Sequence, residues 1–526
     1  MKTVIIPAAG LASRMKPLSR GVSKSMVSIN GRPIITYILD TIFKNPLVNE
    51  VVIVENELRD ISEFVTRVYP DKPIKFVLQE EKLGPLHAIY LGYQAVESTN
   101  SITVWLGDTI CLDSFPYHLD FVAVSPVSDP HRWCLIDTNG KLYDKPSDSE
   151  KVPTNKALVG VYNFNSRVTF HDAIEQGMAD ATHKGEHQIA ALLKYYQEEK
   201  GPLALIDSNE WYDCGELNTF YESKARLLSR TARSFNNIEV DTFYGTITKS
   251  STDPQKSEKI EAEKLWFLNL NEEQSLFCPR ILRSENGVLR MSLEPGTALN
   301  EVLVYDNLRT DIWHEIIRKI LSIHHEVFDS TRKSTADWET VAKYCFEHYY
   351  IKTKKRIDEI AKYVPIRREE TEFLLDTGLK LSTGAWWSAV MHGDSHLGNI
   401  IYDPHSGNIK FVDPRGVFGE TWTQGDLRYD MGKLLQDFYC GYAMIMANRY
   451  KKNADGTVTI DWVPGTEKLS EFLEQELKNK GYDVNLLKRL SVLLLMTAIP
   501  FHADDTNRQE AMFARGKQLI KELNDL

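Results

Sequence analysis

The sequence predicts an α/β protein in two parts, an open α/β sandwich first and a smaller sheet followed by many helices second. Three observations carry this: short apolar runs alternate with helical patterns up to about residue 225, the pattern changes abruptly after it, and helices dominate from Asp311 onward.

In the first part "TVIIPAA", "EVVIVEN", "IKFVLQE" and "SITVWLGD" are apolar and rich in β-branched residues, and read as strands. Between them "PIITYILDTIFKN", "LRDISEFVTRVY" and "GPLHAIYLGYQAV" have helical spacing. Strand, helix and strand in series imply a mostly parallel sheet covered on both faces, with ligands at the carboxyl ends of the strands. After "YESKARLLSRTARSFNN" the segment "EVDTFYGTITKSS" alternates like a hairpin and "SEKIEAEKLWFLNL" is helical. One further strand pair, "IIYDPHSGNIKFVD", interrupts the helices. A boundary is expected near residues 228 to 238, giving domains of 1–230 and 238–526, the second with an N-lobe of about 238–300 and a helical C-lobe of about 301–526.

Length allows such a division, since 526 residues exceed what one core supports. With 42% hydrophobic and 26% charged residues the chain has the composition of a soluble globular protein. A net charge of -11 argues against nucleic acid as a partner and leaves small molecules as the expected ligands. The six cysteines contain no C-x-x-C pair, so neither a zinc site nor a disulfide framework is expected, and a reducing cytoplasm fits. No apolar run is expected to span a membrane; "LSVLLLMTAI" reads as a core helix. Oligomeric state is not legible.

Two stretches carry chemistry. In "PAAGLASRMKPLS" the strand ends at Pro7, and Ala8, Ala9 and Gly10 are small enough for the backbone to approach phosphates. Arg14 would add a charged fork and Lys24 a point charge, although a plain strand-to-helix turn reads the same way. Asp108, at the end of "WLGD", and Asp213, in "EWYDCGE", would hold Mg2+ together with substrate phosphates if the fold unites them; singly, each also reads as a cap or a turn residue. The later stretch is "VMHGDSHLGNIIYD". Asp394 and Asn399, five positions apart, followed by Asp413 in "IKFVDPRG", have the spacing of a phosphotransferase loop: Asp394 to accept or orient a hydroxyl, Asn399 and Asp413 to hold Mg2+. His392 reads as a brace.

Residues 1 to 228 resemble the nucleoside-triphosphate:sugar-phosphate nucleotidyltransferase family, with its Rossmann-like sandwich, in the loop from Gly10 to Arg14, Lys24, Leu106 to Asp108, "DKP" with Lys145, "VGVYNF", and Trp211 to Gly215. The resemblance implies that Lys145 holds the acceptor phosphate, Glu186 contacts acceptor hydroxyls, and Gln79 and Gly84 lie in the base-reading segment. It departs at Ala12, where a second loop glycine is usual, and at Ser23, where a proline is; His187 reads equally as packing or contact. The compact "KLGPLHA" resembles cytidylyl-type members and points to CTP, with UTP as the alternative.

Residues 238 to 526 resemble the aminoglycoside phosphotransferase and choline kinase group, with its protein-kinase-like fold. This implies ATP as donor, Lys249 on its phosphates, Glu263 as the lysine's helix partner, Glu294 at the adenine hinge and Asp430 as a lock on the catalytic loop; Lys256, Lys259 and Glu261 are near alternatives. Arg415, in "DPRG" where shorter acidic motifs are common, would meet either a phosphate or a carboxylate. Together the resemblances imply a bifunctional enzyme: ATP phosphorylates a small alcohol, a polyol such as glucitol before an amino alcohol or a sugar, and CTP converts the ester into a CDP-activated precursor of bacterial surface polysaccharide. Other readings are a dTTP- or UTP-using sugar-1-phosphate enzyme with a sugar kinase, an antibiotic-modifying phosphotransferase, and a non-catalytic sensor.

Overall fold

The structure is a computed structural model and describes the chain apart from residues 11–21, 99, 148–151, 181–184, 232–236, 242, 252, 286, 307, 330–337, 416 and 526. The chain divides into two compact units, Met1–Leu228 and Ser229–Leu526.

The first unit is built on a nine-stranded sheet. Lys2–Pro7 lies at its middle, parallel to both Val48–Glu55 and Ser101–Trp105, and Val48–Glu55 is in turn parallel to Ile74–Leu78. Val4, Ile5, Ile6 and Val51 to Val54 are buried on both faces, as strands covered by helices must be. The helix Pro85–Gln94 begins with Pro85 at its first position, where a missing N–H costs nothing, and packs Leu86, Ile89 and Tyr93 into the core beside Ile5, Val52 and Val104. Each such buried side chain is worth about 1.5–3 kcal/mol. Gly92 keeps this helix close to the sheet: a Cβ there would lie 2.6 Å from Ile5 Cγ2.

The sheet is more mixed than the strand–helix rhythm predicts. Lys156–Phe164 runs antiparallel to Ser101–Trp105, Phe121–Pro126 and Cys134–Ile136. Apolar runs look alike whichever way a strand points, so direction came from the tertiary pairing.

The second unit opens with a four-stranded antiparallel sheet in the order Asn237–Asp241, Thr246–Ser250, Val288–Ser292, Ile281–Glu285, with the helix Pro254–Leu268 packed on it. Trp266 of that helix is fully buried and donates from Nε1 to the Met391 carbonyl at 2.9 Å, tying the helix to the loop that follows. The strand pair Ile400–Asp403 and Asn408–Phe411 is antiparallel, and helices make up most of what remains. Among these, Arg428–Phe438 is almost wholly buried against Val484–Ala498, with Leu490 at Gly432. The latter helix and the turn Ile499–His502 form a run of 19 residues long and apolar enough to cross a membrane by length and composition, half of it buried in the structure. The run exceeds the one expected because the helix begins at Val484, six residues before Leu490, and the turn continues it past Ala498.

Candidate active sites

In the first unit the site forms where Lys2–Pro7 and Ser101–Trp105 end side by side. Gly107 N–H donates to the Pro7 carbonyl at 3.3 Å, so Asp108 follows directly beside Ala8, Ala9 and Gly10. A Cβ on Gly107 would meet Ala8 Cβ at 2.9 Å and Ser25 Oγ at 2.7 Å. The strand Trp211–Asp213 pairs with Thr109–Cys111, and the Cys214 N–H donates to the Asp108 carbonyl at 3.1 Å, which brings Asp213 to Asp108. Lys24 is ion-paired with Asp108. Burial, then the charge of Asp108, pushes the Asp213 carboxyl up to about 6. A buried carboxyl raised beside a second carboxylate fits a divalent cation, whose remaining positions substrate phosphates would fill. Among the described residues no group of three or more His, Cys, Asp or Glu forms a metal cage.

The segment before Lys24 is anchored by residues that the sequence reading passed over. Ser23 donates from its backbone to Asp60 at 2.7 Å and from its hydroxyl to the same carboxylate, while Asn56 Nδ2 donates to Ser23 Oγ at 2.9 Å. A buried serine tied to Asp60 and Asn56 therefore fixes the chain where a proline would have stiffened it. Arg14 and Ala12 lie outside the described residues.

Gln79 is buried, and its Nε2 donates to the Gly84 carbonyl at 3.2 Å. Gly84 has φ +96°, and a Cβ there would lie 2.7 Å from Glu186 Cβ. The His187 N–H donates to the Leu83 carbonyl at 2.7 Å, so His187 packs by its backbone and brings exposed Glu186 to Gly84. Lys145 is exposed at φ +47°, a left-handed conformation uncommon for lysine, and its N–H donates to the Trp133 carbonyl at 3.1 Å. Trp133 stands edge-on to Trp211, ring centroids 4.9 Å apart, which links Lys145 to the strand of Asp213.

In the second unit the hairpin Ile400–Asp403/Asn408–Phe411 sets the geometry. Asn399 precedes one strand and Asp413 follows the other with Val412 between, and the Val412 N–H donates to the Asn399 carbonyl at 3.0 Å. Asn399 Nδ2 donates to the Asp394 carbonyl at 3.0 Å and to its carboxylate at 3.3 Å. Lys249, buried, is 2.7 Å from Glu263 and is also ion-paired with Asp413. Lys249, Glu263, Asp394, Asn399 and Asp413 thus converge from four segments. Glu261 pairs with Lys264 instead, at 2.6 Å, and Glu294 with Ser292 and, at 3.8 Å, Lys410, apart from that group.

His392 is a brace. Its Nε2 donates to the Val412 carbonyl at 2.9 Å, its Nδ1 accepts from the Asp394 N–H at 3.3 Å, and burial pushes it down to about 4, so it stays neutral. Asp430 accepts the His392 and Gly393 N–H groups, both at 2.8 Å. The sequence reading missed Lys433, whose Nζ lies 3.0 Å from Asp394 Oδ1; its one signal was its place one turn after Asp430 in "DLRYDMGKLL". Burial pushes the Asp394 carboxyl up, but Lys433 and His396 outweigh it and hold it well below the usual carboxylate range.

Residues 3–230 match the family model described as nucleotidyl transferase. The first unit is a nucleotidyltransferase domain. A "Bifunctional protein GlmU" of Methanococcus maripaludis is 28% identical over 251 residues, 45% of this chain and 58% of that protein, so the chain spans little more than half of that relative's length. The "UTP--glucose-1-phosphate uridylyltransferase AglF" of Haloferax volcanii is 23% identical over 246 residues, 44% of this chain and 99% of that protein. Among solved structures, UDP-glucose pyrophosphorylase complexed with UDP-glucose is 20% identical, covering 44% of this chain and 99% of its own, with a TM-score of 0.38.

Proposed function

We propose that the chain carries two successive reactions: the second unit phosphorylates an alcohol with ATP, and the first transfers a nucleotidyl group from CTP onto the resulting phosphate monoester, for use in bacterial surface polysaccharide assembly. The observation that carries the pairing is the convergence of Lys249, Glu263, Asp413, Asn399 and Asp394 in one unit of a chain whose other unit is a nucleotidyltransferase domain. One unit would make the kind of compound the other consumes.

In the first unit Asp108 and Asp213 would hold Mg2+, which neutralises triphosphate charge and favours departure of pyrophosphate. The chain's own residues position the partners. Backbone at Ala8 to Gly10 approaches the triphosphate, Lys24 and Arg14 supply positive charge, Lys145 receives the acceptor phosphate, Glu186 its hydroxyls, and Gln79 with Gly84 the base. No side chain need act as base, because a phosphate monoester is already ionised at neutral pH. UTP is the second reading of the nucleotide, and the likeness to a relative named for UTP favours it.

In the second unit Asn399 and Asp413 would hold Mg2+ on ATP; the half-exposed Asp413 carboxylate, ion-paired with Lys249, and the amide of Asn399 on Asp394 suit it. Lys249, fixed by Glu263, holds donor phosphates, Glu294 lies toward the adenine, and Asp394 orients the hydroxyl and receives its proton.

The test uses the full chain with each donor separately. Asp394→Ala abolishes ADP formation and leaves nucleotidyl transfer to a supplied phosphate ester; Asp108→Ala does the reverse. Loss of both activities from either single substitution in a folded protein refutes two independent sites.

A further inference from the structure

Around Asp394 the second unit gathers several basic side chains. Lys433 contacts Asp394 at 3.0 Å and is itself largely buried. Arg415 rests on Gly393, where a Cβ would meet Arg415 Cβ at 2.7 Å. Its guanidinium hydrogen-bonds the neutral Tyr429 hydroxyl and His348 Nε2, both at 3.3 Å, and has no carboxylate partner among the described residues. His348 is kept neutral by burial and by Arg415 itself. Four residues on, Lys352 lies within electrostatic reach of Arg415, Arg356, Lys433 and Asp394, and its ammonium has no hydrogen-bond or ion-pair partner among the described residues. Arg356 is already paired with Glu359. Asp437, the other carboxylate near Lys433, is buried and accepts the Leu397 N–H at 2.6 Å. Of the lysines and arginines gathered here, only Lys433 is ion-paired with Asp394.

Half-buried like charges without counter-ions are costly unless a bound anion compensates them. Burial, then Arg415, Arg356 and Lys433, outweigh the pull of Asp394 and push Lys352 down to about 6, so at neutral pH it is largely the free amine and regains its charge when an anion arrives. A quaternary ammonium or a polyamine entering beside Asp394 would add to the repulsion.

We infer that the alcohol accepted by the second unit carries an anionic group, a carboxylate or a phosphate, received by Lys352 and Arg415 with Lys433 between them and Asp394. This rests on the phosphotransfer reading and narrows its acceptor: a charged sugar acid or polyol phosphate fits, whereas glucitol, choline and aminoglycosides do not.

The test is calorimetric titration into the full chain saturated with Mg2+ and a non-hydrolysable ATP analogue, so that the donor phosphate positions are filled. Gluconate, glycerol phosphate, inorganic phosphate, glucitol and choline are the probes. An anion binds at least about tenfold tighter than glucitol or choline, and Lys352→Met or Arg415→Met removes about tenfold of that affinity. Gluconate against glycerol phosphate separates carboxylate from phosphate. Far-UV circular dichroism checks that both variants fold, and Lys352→Met, which relieves repulsion, keeps or raises the melting temperature without ligand. Absence of anion binding, or binding indifferent to both substitutions, overturns the inference. ADP release with ATP is followed in parallel: anion binding without ADP from any alcohol would sink the phosphotransfer reading while leaving the anion pocket standing.

Discussion

The ammonium of Lys433 lies 3.0 Å from Oδ1 of Asp394, the carboxylate given the acceptor hydroxyl in the proposed phosphotransfer. Lys433 is the leading charge that keeps Asp394 ionised against its burial. Lys433→Met therefore raises the Asp394 pKa, and the acid limb of the pH–rate profile moves to higher pH by about one unit or more. The sign for stability follows from a depressed folded pKa: the pair's contribution is present above the ordinary aspartate range and is lost as pH falls through the folded pKa. Initial rates and melts across pH check both; an unshifted acid limb counts against Asp394 as the base.

Asp213 is shifted the other way. With a folded value of about 6 against an ordinary 3.8, the native state binds the extra proton between those values, so Asp213 costs stability as pH rises through that window and above it. Asp213→Asn raises the stability of the ligand-free protein at neutral pH, on the order of 1–2 kcal/mol after allowance for solvent screening. It also lowers nucleotidyl transfer by on the order of a hundredfold. In the wild type, protection from thermal unfolding by Mg2+ weakens below about pH 6, because the metal needs the carboxylate. Melts with and without Mg2+ at acid and neutral pH measure this.

Gly84→Ala is strained on two counts. The residue holds φ +96°, and its new Cβ would meet Glu186 Cβ at 2.7 Å and the His187 backbone at 2.8 and 2.9 Å. The expected cost is about 1–3 kcal/mol in urea unfolding, with a raised KM for the nucleoside triphosphate as the segment from Gln79 to Gly84 shifts.

Asp430→Ala leaves the N–H groups of His392 and Gly393 without acceptors inside the core, costing about 2–4 kcal/mol. Burial pushes Asp430 up to about 7, yet either protonation state keeps a carbonyl oxygen to accept with, so Asp430→Asn costs roughly half as much. Hydrogen exchange at His392 and Gly393 reports the loosening directly.

Much of both sites was legible because it is local. Asn399 and Asp413 flank one hairpin, so the turn in "DPHSGN" brings them together. Asp394 reaches Asn399 across five residues of loop, and Asp108 stands where a buried strand must end. Less legible was which of several charges would meet. Glu261 and Glu263 both lie on the helix Pro254–Leu268, but only Glu263 faces Lys249; helix rotation against the sheet made that choice. Ser23 looked like a lost proline until Asp60 and Asn56 were seen to hold it.

The sequence by itself determined the alternation of strands and helices, the end of each strand where a charged group follows, and the spacing of the Asp394 loop. Backbone periodicity and short-range chain connectivity are written residue by residue. Only the tertiary structure decided strand direction at Lys156–Phe164 and the surroundings of Asp394, where Lys352, Arg415 and Lys433 arrive from three separate elements. Charge compensation depends on distance through space, and packing alone sets which cations are left without a carboxylate.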